Sequence, residues 1–163
     1  MTAAASGYHL ATDEGDAYDF LNTLSLIKAS GAATNGAVGV VEQRLPAGFS
    51  PPPHIHHNED EAFYLLSGEV VAQVGDAQIT ARRGSFLWLP RDVQHGFVVS
   101  GEAPCTMLVI TTPSGFDGFV AEVGSPTTIT DRLPEPKEPD IPRLVEIAGR
   151  YGIEFPPPPA LPS

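Results

Sequence analysis

The sequence predicts an all-β protein, one barrel or sandwich closed by short C-terminal helices. Three observations carry that expectation. Short apolar runs recur between residues 17 and 111, and they are the length of strands. The chain's 17 Pro and 16 Gly fall largely between those runs, as turn residues do. After residue 113 the apolar spacing changes to that of a helix. A chain of 163 residues amounts to a single domain, one that buries about 70% of its unfolded surface and folds without needing a staple. Pro and Gly together make about a fifth of it, below the level that marks disorder.

The elements follow in order. Residues 1–15 are small, polar and acidic, and are expected to form a flexible leader. Ala17 to Lys28 alternates imperfectly, as one or two opening strands would, and residues 30–36 form a loop. Ala37 to Leu45 is β-rich and stops at Pro46-Ala47-Gly48. Glu61 to Leu66 and Glu69 to Val74 flank Ser67-Gly68, which reads as a hairpin. Gly75-Asp76 leads into Ala77 to Ala81, and Ser85 to Leu89 stops at Pro90. Gly96 to Val99 and Met107 to Thr111 complete about nine strands. Ser114 to Val123 then places Phe116, Phe119, Val120 and Val123 on one helical stripe. Pro142 to Tyr151 repeats the signal with Leu144, Val145, Ile147 and Ala148, a Pro suited to the first turn, and Gly152 as a stop. The expected organisation is a leader (1–15), a β-barrel (16–124) and a Pro-rich linker with a helix packed on the barrel (125–163). No internal repeat is visible.

Acidic residues outnumber basic ones 20 to 9, for a formal charge of −11. Without a Lys/Arg patch to neutralise phosphates, neither nucleic acid nor an anionic membrane surface is an expected partner. No run of ~18 apolar residues spans a bilayer, and the N-terminal residues lack a basic start and an apolar segment. The lone Cys105 forms no intrachain disulfide, which suits a reducing compartment. The expected location is therefore the cytoplasm.

Chemistry concentrates in the histidines. Four of five (His54, His56, His57, His95) fall within 42 residues, in Gly48-x5-His54-x-His56-x4-Glu61-x6-Gly68 and Gly84-x5-Pro90-x4-His95. In an extended segment His54 and His56 share a face, and His57 takes the other. Phe63 and Leu65 share parity with Glu61, so Glu61 faces the core as well. Three imidazoles and one carboxylate form a donor set for Fe, Ni, Cu, Co, Mn or Zn. Glu59 is the rival carboxylate. The alternative is a His-rich surface turn whose rings cap backbone groups.

Both stretches resemble the two motifs of the cupin superfamily, small jelly-roll-like β-barrels with a metal in the barrel mouth. The first motif matches at every fixed position. The second departs at Asp92, where Gly is usual, and at Val99, where Asn is usual; neither is a ligand position. The flanks Pro51-Pro52-Pro53-His54-Ile55-His56, Glu59-Asp60-Glu61-Ala62-Phe63-Tyr64 and Thr111-Thr112-Pro113-Ser114-Gly115-Phe116 are similar to single-domain cupins related to bacterial quercetin 2,3-dioxygenase. The resemblance implies a metal-dependent dioxygenase of the flavonol-cleaving type, acting on a small aromatic or enolic substrate with O2. It implies one divalent transition metal (Ni, Fe, Co or Mn) held by His54, His56, Glu61 and His95, with two coordination positions left open. It also implies Glu61 as the base and a homodimer as the assembly. Two alternatives keep the fold: a redox-neutral metal-dependent cupin (decarboxylase, cyclase or isomerase), and a non-catalytic ligand-binding cupin.

Parity around the ligands makes Phe63, Phe86, Trp88, Phe97 and Met107 the candidate lining of a flat apolar slot; the alternative is that most of them are ordinary barrel core. Phe116 and Phe119 either line a lid or dock their helix. Tyr64 is expected outside the barrel, Cys105 as a buried small hydrophobe, Arg82-Arg83 in a solvated turn, and His9 exposed. No nucleophile elbow, P-loop or dinucleotide fingerprint is present.

Overall fold

A computed structural model of the chain describes residues 6–157. Residues 1–5 of the leader and 158–163 of the C-terminal region lie outside the described residues. The chain forms a jelly-roll β-sandwich with two short helices. Its larger sheet takes β1 (Asp16–Phe20), β2 (Thr23–Ala29), β3 (Gly39–Leu45), β5 (Asp60–Ser67), β8 (Phe86–Leu89), β10 (Cys105–Thr112) and β11 (Ser125–Pro126), in the order β11-β1-β2-β3-β10-β5-β8. The facing sheet is β7 (Ala77–Arg82), β6 (Glu69–Val74) and β9 (His95–Val99). A bridge between His54 and His95 attaches β4 (Ile55–His56) beside β9, and β4 pairs in turn with β12 (Ile153–Glu154).

The opening segment resolves into two strands. The two-residue turn Leu21-Asn22, with φ of 51° and 66°, matches the right-handed twist of a tight hairpin. Strands β3 and β10 alternate strictly, so Val41, Gln43 and Leu45 face inward beside Cys105, Met107 and Val109. Leu65, Val70 and Val99 join them, closing a core between the two sheets. Burial pushes the Cys105 thiol up to about 11, consistent with an inert core residue.

Two expectations are corrected. Ser67-Gly68 is not a hairpin: β5 pairs with β10 and β8, whereas β6 pairs with β7 and β9. The chain changes sheets at Gly68. A corner and a hairpin both need a residue at positive φ, so local sequence does not separate them. Phe86 and Trp88 lie outside the barrel, 61% and 49% exposed. Phe63 faces inward and pairs with Leu87, so Leu87 and Leu89 are the inward pair of β8; Phe86 shares the outer face with its partner Tyr64.

After the barrel come α1 (Phe116–Val123) and α2 (Ile141–Arg150). Phe116, Phe119 and Val120 bury one face of α1, and Phe20 meets Phe116 and Phe119 edge-on. Asp140 caps α2 by accepting from the Arg143 amide, with Pro142 in the first turn. Leu144, Ile147 and Ala148 are buried, while Val145 faces solvent. Arg143 donates to the carbonyls of Glu122 and Val123, and the Tyr151 hydroxyl donates to Glu122, binding α2 to α1. Leu133 of the Pro-rich linker covers Ala17, Leu24 and Leu26 on the outer face of the larger sheet. From Tyr8 to Glu14 the leader is tied to β2 and β3: Tyr8 donates to the Lys28 carbonyl, Lys28 to the Glu14 carbonyl, and Asp13 pairs with Arg44. His9 is exposed. No helix among the described residues is long and apolar enough to cross a membrane.

Gly68 adopts φ 80°, and a Cβ there would lie 2.6 Å from the Pro104 carbonyl oxygen. Left-handed backbone costs a non-glycine residue roughly 1–2 kcal/mol and the overlap adds to it. Gly68→Ala is expected to lower stability by about 2 kcal/mol or more in urea unfolding.

Candidate metal centre

His54, His56, Glu61 and His95 converge, each presenting one ligand atom, with all four atoms within 4.8 Å of one another. Their positions follow from strand geometry. His54 and His56 are two apart on one extended segment and so turn the same way. β5 delivers Glu61 at its start, next to the inward Phe63. The His54–His95 bridge, with its reciprocal backbone hydrogen bonds of 2.9 Å, brings the third imidazole alongside. His57 takes the opposite face and is exposed, as its parity requires.

Each ring is oriented from behind. His54 Nδ1 donates to the Pro52 carbonyl (2.8 Å), His56 Nδ1 to Glu59 Oε1 (2.8 Å) and His95 Nδ1 to the Val93 carbonyl (3.3 Å). Carbonyl and carboxylate oxygens only accept, so each Nδ1 carries the proton and each Nε2 keeps its lone pair free. Glu61 Oε2 lies 2.9 Å from His95 Nε2 and 3.5 Å from His56 Nε2. Despite that proximity, Glu61 Oε2 and His95 Nε2 have no hydrogen-bond partner among the described residues. Buried polar atoms left so are costly, and a cation between them satisfies all four at once. The residues present therefore fit a divalent transition metal.

The electrostatics agree. Burial, helped by the neighbouring His95, lowers His54 to about 4, keeping it neutral. Burial alone raises Glu61, but His56 and His95 outweigh it and hold the carboxyl down to about 2. Burial opposes a charge on His56, yet Glu61 and Glu59 hold it above its ordinary value. This is a site that attracts positive charge.

Glu59 is the residue whose part the sequence concealed. It is 2% exposed, and it carries His56 from behind, not the metal. Its other oxygen occupies the space that a side chain at Gly115 would take, at the start of α1. The signal was present in Glu59 lying three residues beyond His56 and in Thr112-Pro113-Ser114-Gly115, but linking them requires α1 to be in place. Asp92, the departure from Gly in the second motif, adopts φ 64°, which Asp tolerates. Its amide donates to the His56 carbonyl and its carboxylate accepts from His57 Nδ1. His57 also donates to Glu154 on β12, and the hydrogen bonds to Asp92 and then Glu154 raise its pKa. His57 thus pins β12 to the segment that carries His54 and His56.

A cavity of about 580 Å³, counting its open mouth, adjoins the ligands. Phe49, Phe63, Phe97, Phe116, Phe119 and Phe155 line it together with His54, His56 and Gln43. Of the five residues proposed for an apolar slot, Phe63 and Phe97 are there. Phe86 and Trp88 are on the outer face, and Met107 is wholly buried in the core without reaching the cavity wall. Phe116 and Phe119 both dock α1 and line the space, and Phe155 packs 6.1 Å from the His54 ring.

The chain is a two-sheet jelly roll with three histidines and a carboxylate gathered in its mouth, a donor set that fits a metal ion. Residues 41–111, less than half of the chain, match the family described as Cupin domain. A tetracenomycin polyketide synthase protein, TcmJ of Streptomyces glaucescens, is 28% identical over 88 residues, 54% of this chain and 58% of that protein. The chain thus aligns with little more than half of that relative's length. KdgF from Halomonas sp. superimposes with a TM-score of 0.61 at 19% identity, covering 69% of this chain and 99% of that one. A predicted oxalate decarboxylase from Thermotoga maritima gives 0.60 at 20% identity, covering 65% and 99%. These two likenesses concern the fold alone.

Glu59→Ala is expected to weaken metal binding about 10- to 100-fold in competition with a chromogenic chelator, and Gly115→Ala to weaken it in the same direction by displacing the carboxylate. Nickel at a hundredfold excess over its Kd is expected to stabilise the stripped protein by about 2.7 kcal/mol in thermal unfolding, and to leave His56→Ala unmoved.

Proposed function

We propose that this chain is a metal-dependent enzyme acting on a small, flat, largely apolar molecule that bears an enolic or phenolic oxygen, and that it cleaves that molecule with O2 in the manner of a flavonol 2,4-dioxygenase. The observation that carries the reading is the junction of a four-donor site with a cavity walled by seven phenylalanines. Bound there, nickel, iron, cobalt or manganese supplies Lewis acidity toward the substrate oxygen and a place for O2.

The chain's own residues do the rest. Phe49, Phe63 and Phe97 on one side and Phe116, Phe119 and Phe155 from the C-terminal cover offer ring faces to a planar substrate and exclude water from it. His54, His56 and His95 keep their Nε2 atoms free because every Nδ1 is bound from behind. Glu61 is both ligand and base. Its carboxylate takes the hydroxyl proton of the substrate.

The relative TcmJ favours a second reading. A likeness to a polyketide synthase protein suits a redox-neutral reaction on an aromatic polyketide in the same cavity, with no O2 consumed. The test is loss of the flavonol absorption band of quercetin in air, using stripped protein reloaded separately with Ni, Co, Fe and Mn. Bleaching that needs metal and oxygen and vanishes in His56→Ala is the expected outcome. A flat trace with every metal overturns the dioxygenase reading in favour of the redox-neutral one.

A further inference from the structure

Gln43 stands out in a cavity otherwise walled by apolar groups. It is 6% exposed, lies on the inward face of β3, and apart from His54 and His56 is the only polar side chain among the described residues lining the cavity.

A chain of hydroxyls decides which end of its amide meets the cavity. Thr23 Oγ1 lies 2.6 Å from the Phe20 carbonyl oxygen, which only accepts, so the single Thr23 hydroxyl proton is committed there. The 3.2 Å contact between Thr23 and Ser25 must then be donated by Ser25, which commits that proton too. Ser25 has only lone pairs left for Gln43, also 3.2 Å away, so the Gln43 NH2 donates to it. The amide is thereby oriented. Its oxygen, which has no hydrogen-bond partner among the described residues, is left free on a side chain that lines the cavity.

We propose that Gln43 is a specificity-determining residue whose Oε1 accepts a hydrogen bond from a hydroxyl or N–H of the substrate, remote from the oxygen that meets the metal. This rests on the reading of the cavity as the substrate site and narrows the class of molecule it takes. Along the sheet, Gln43 is level with Met107, and Glu61 is level with Thr111. Four residues of strand separate the two levels, roughly 13 Å. A single ring is too short to reach from one to the other. The substrate is a multi-ring, metal-chelating aromatic with a second hydrogen-bond donor at its far end. An oxygen that accepts also rejects a ligand presenting a carbonyl or carboxylate there, because two acceptors face one another with no proton between them.

The test is equilibrium binding by calorimetry to nickel-loaded protein under argon, so that no turnover intervenes. The probes are quercetin and 3-hydroxyflavone, which share the chelating 3-hydroxy-4-keto pair while only quercetin carries further hydroxyls. The wild type is expected to prefer quercetin by roughly three- to tenfold, the worth of one buried hydrogen bond. Gln43→Leu is expected to erase that preference. Ser25→Ala, which frees the amide to turn over, should reduce the preference while keeping the side chain; this second variant serves if Gln43→Leu fails to fold. A preference that survives in both variants, or is absent from the wild type, overturns the role of Gln43 and leaves the flavonol reading standing. Binding of neither probe removes both together.

Discussion

A carboxylate at 3% exposure inside a β-sandwich must be matched by positive charge, and Glu61 has only His54, His56, His95 and what they hold between them. Much of the fold is arranged around that constraint. Two strands of the smaller face carry the imidazoles, the larger sheet carries the carboxylate, and the sandwich closes with the four donor atoms facing inward. Leaving Glu61 Oε2 and His95 Nε2 unpaired is a cost that a folded protein accepts where a ligand relieves it.

The C-terminal segment serves this centre as much as the barrel does. α1 brings Gly115 to the one place where Glu59 needs room, and Glu59 holds the His56 ring. β12 lies along β4, so the backbone of the metal-binding strand is paired and not left as an open edge. His57, on the back of that strand, joins Asp92 and Glu154. Phe155 then packs on His54. Helices, closing strand and the four-donor cluster therefore form one connected unit, and the cavity shares His54 and His56 with that cluster.

Much of this was legible beforehand, for reasons particular to each residue. His54 and His56 had to turn together because side chains alternate along an extended chain, and His57 had to turn away for the same reason. Glu61 followed from Phe63 and Leu65. The helical stripes on α1 and α2 were visible in three-and-one spacing, although Val145, read as part of the second stripe, faces solvent. Phe86 and Trp88 misled because size and apolarity suggested the interior, whereas pairing of Leu87 with Phe63 decided the face. Ser67-Gly68 misled because a tight turn looks the same whether the chain folds back in one sheet or crosses to the other.

What the sequence determined by itself is whatever depends on the covalent chain and its nearest neighbours: the alternation of strands, the turns, the helical stripes and the pattern of metal-ligating side chains. The tertiary structure alone decided which groups stand behind those ligands and which line the cavity beside them. Glu59 behind His56, Asp92 beneath His57, and Gln43 held by Ser25 and Thr23 all depend on which strands become neighbours. Parity says which way a side chain turns, but its surroundings are set by strands distant in sequence.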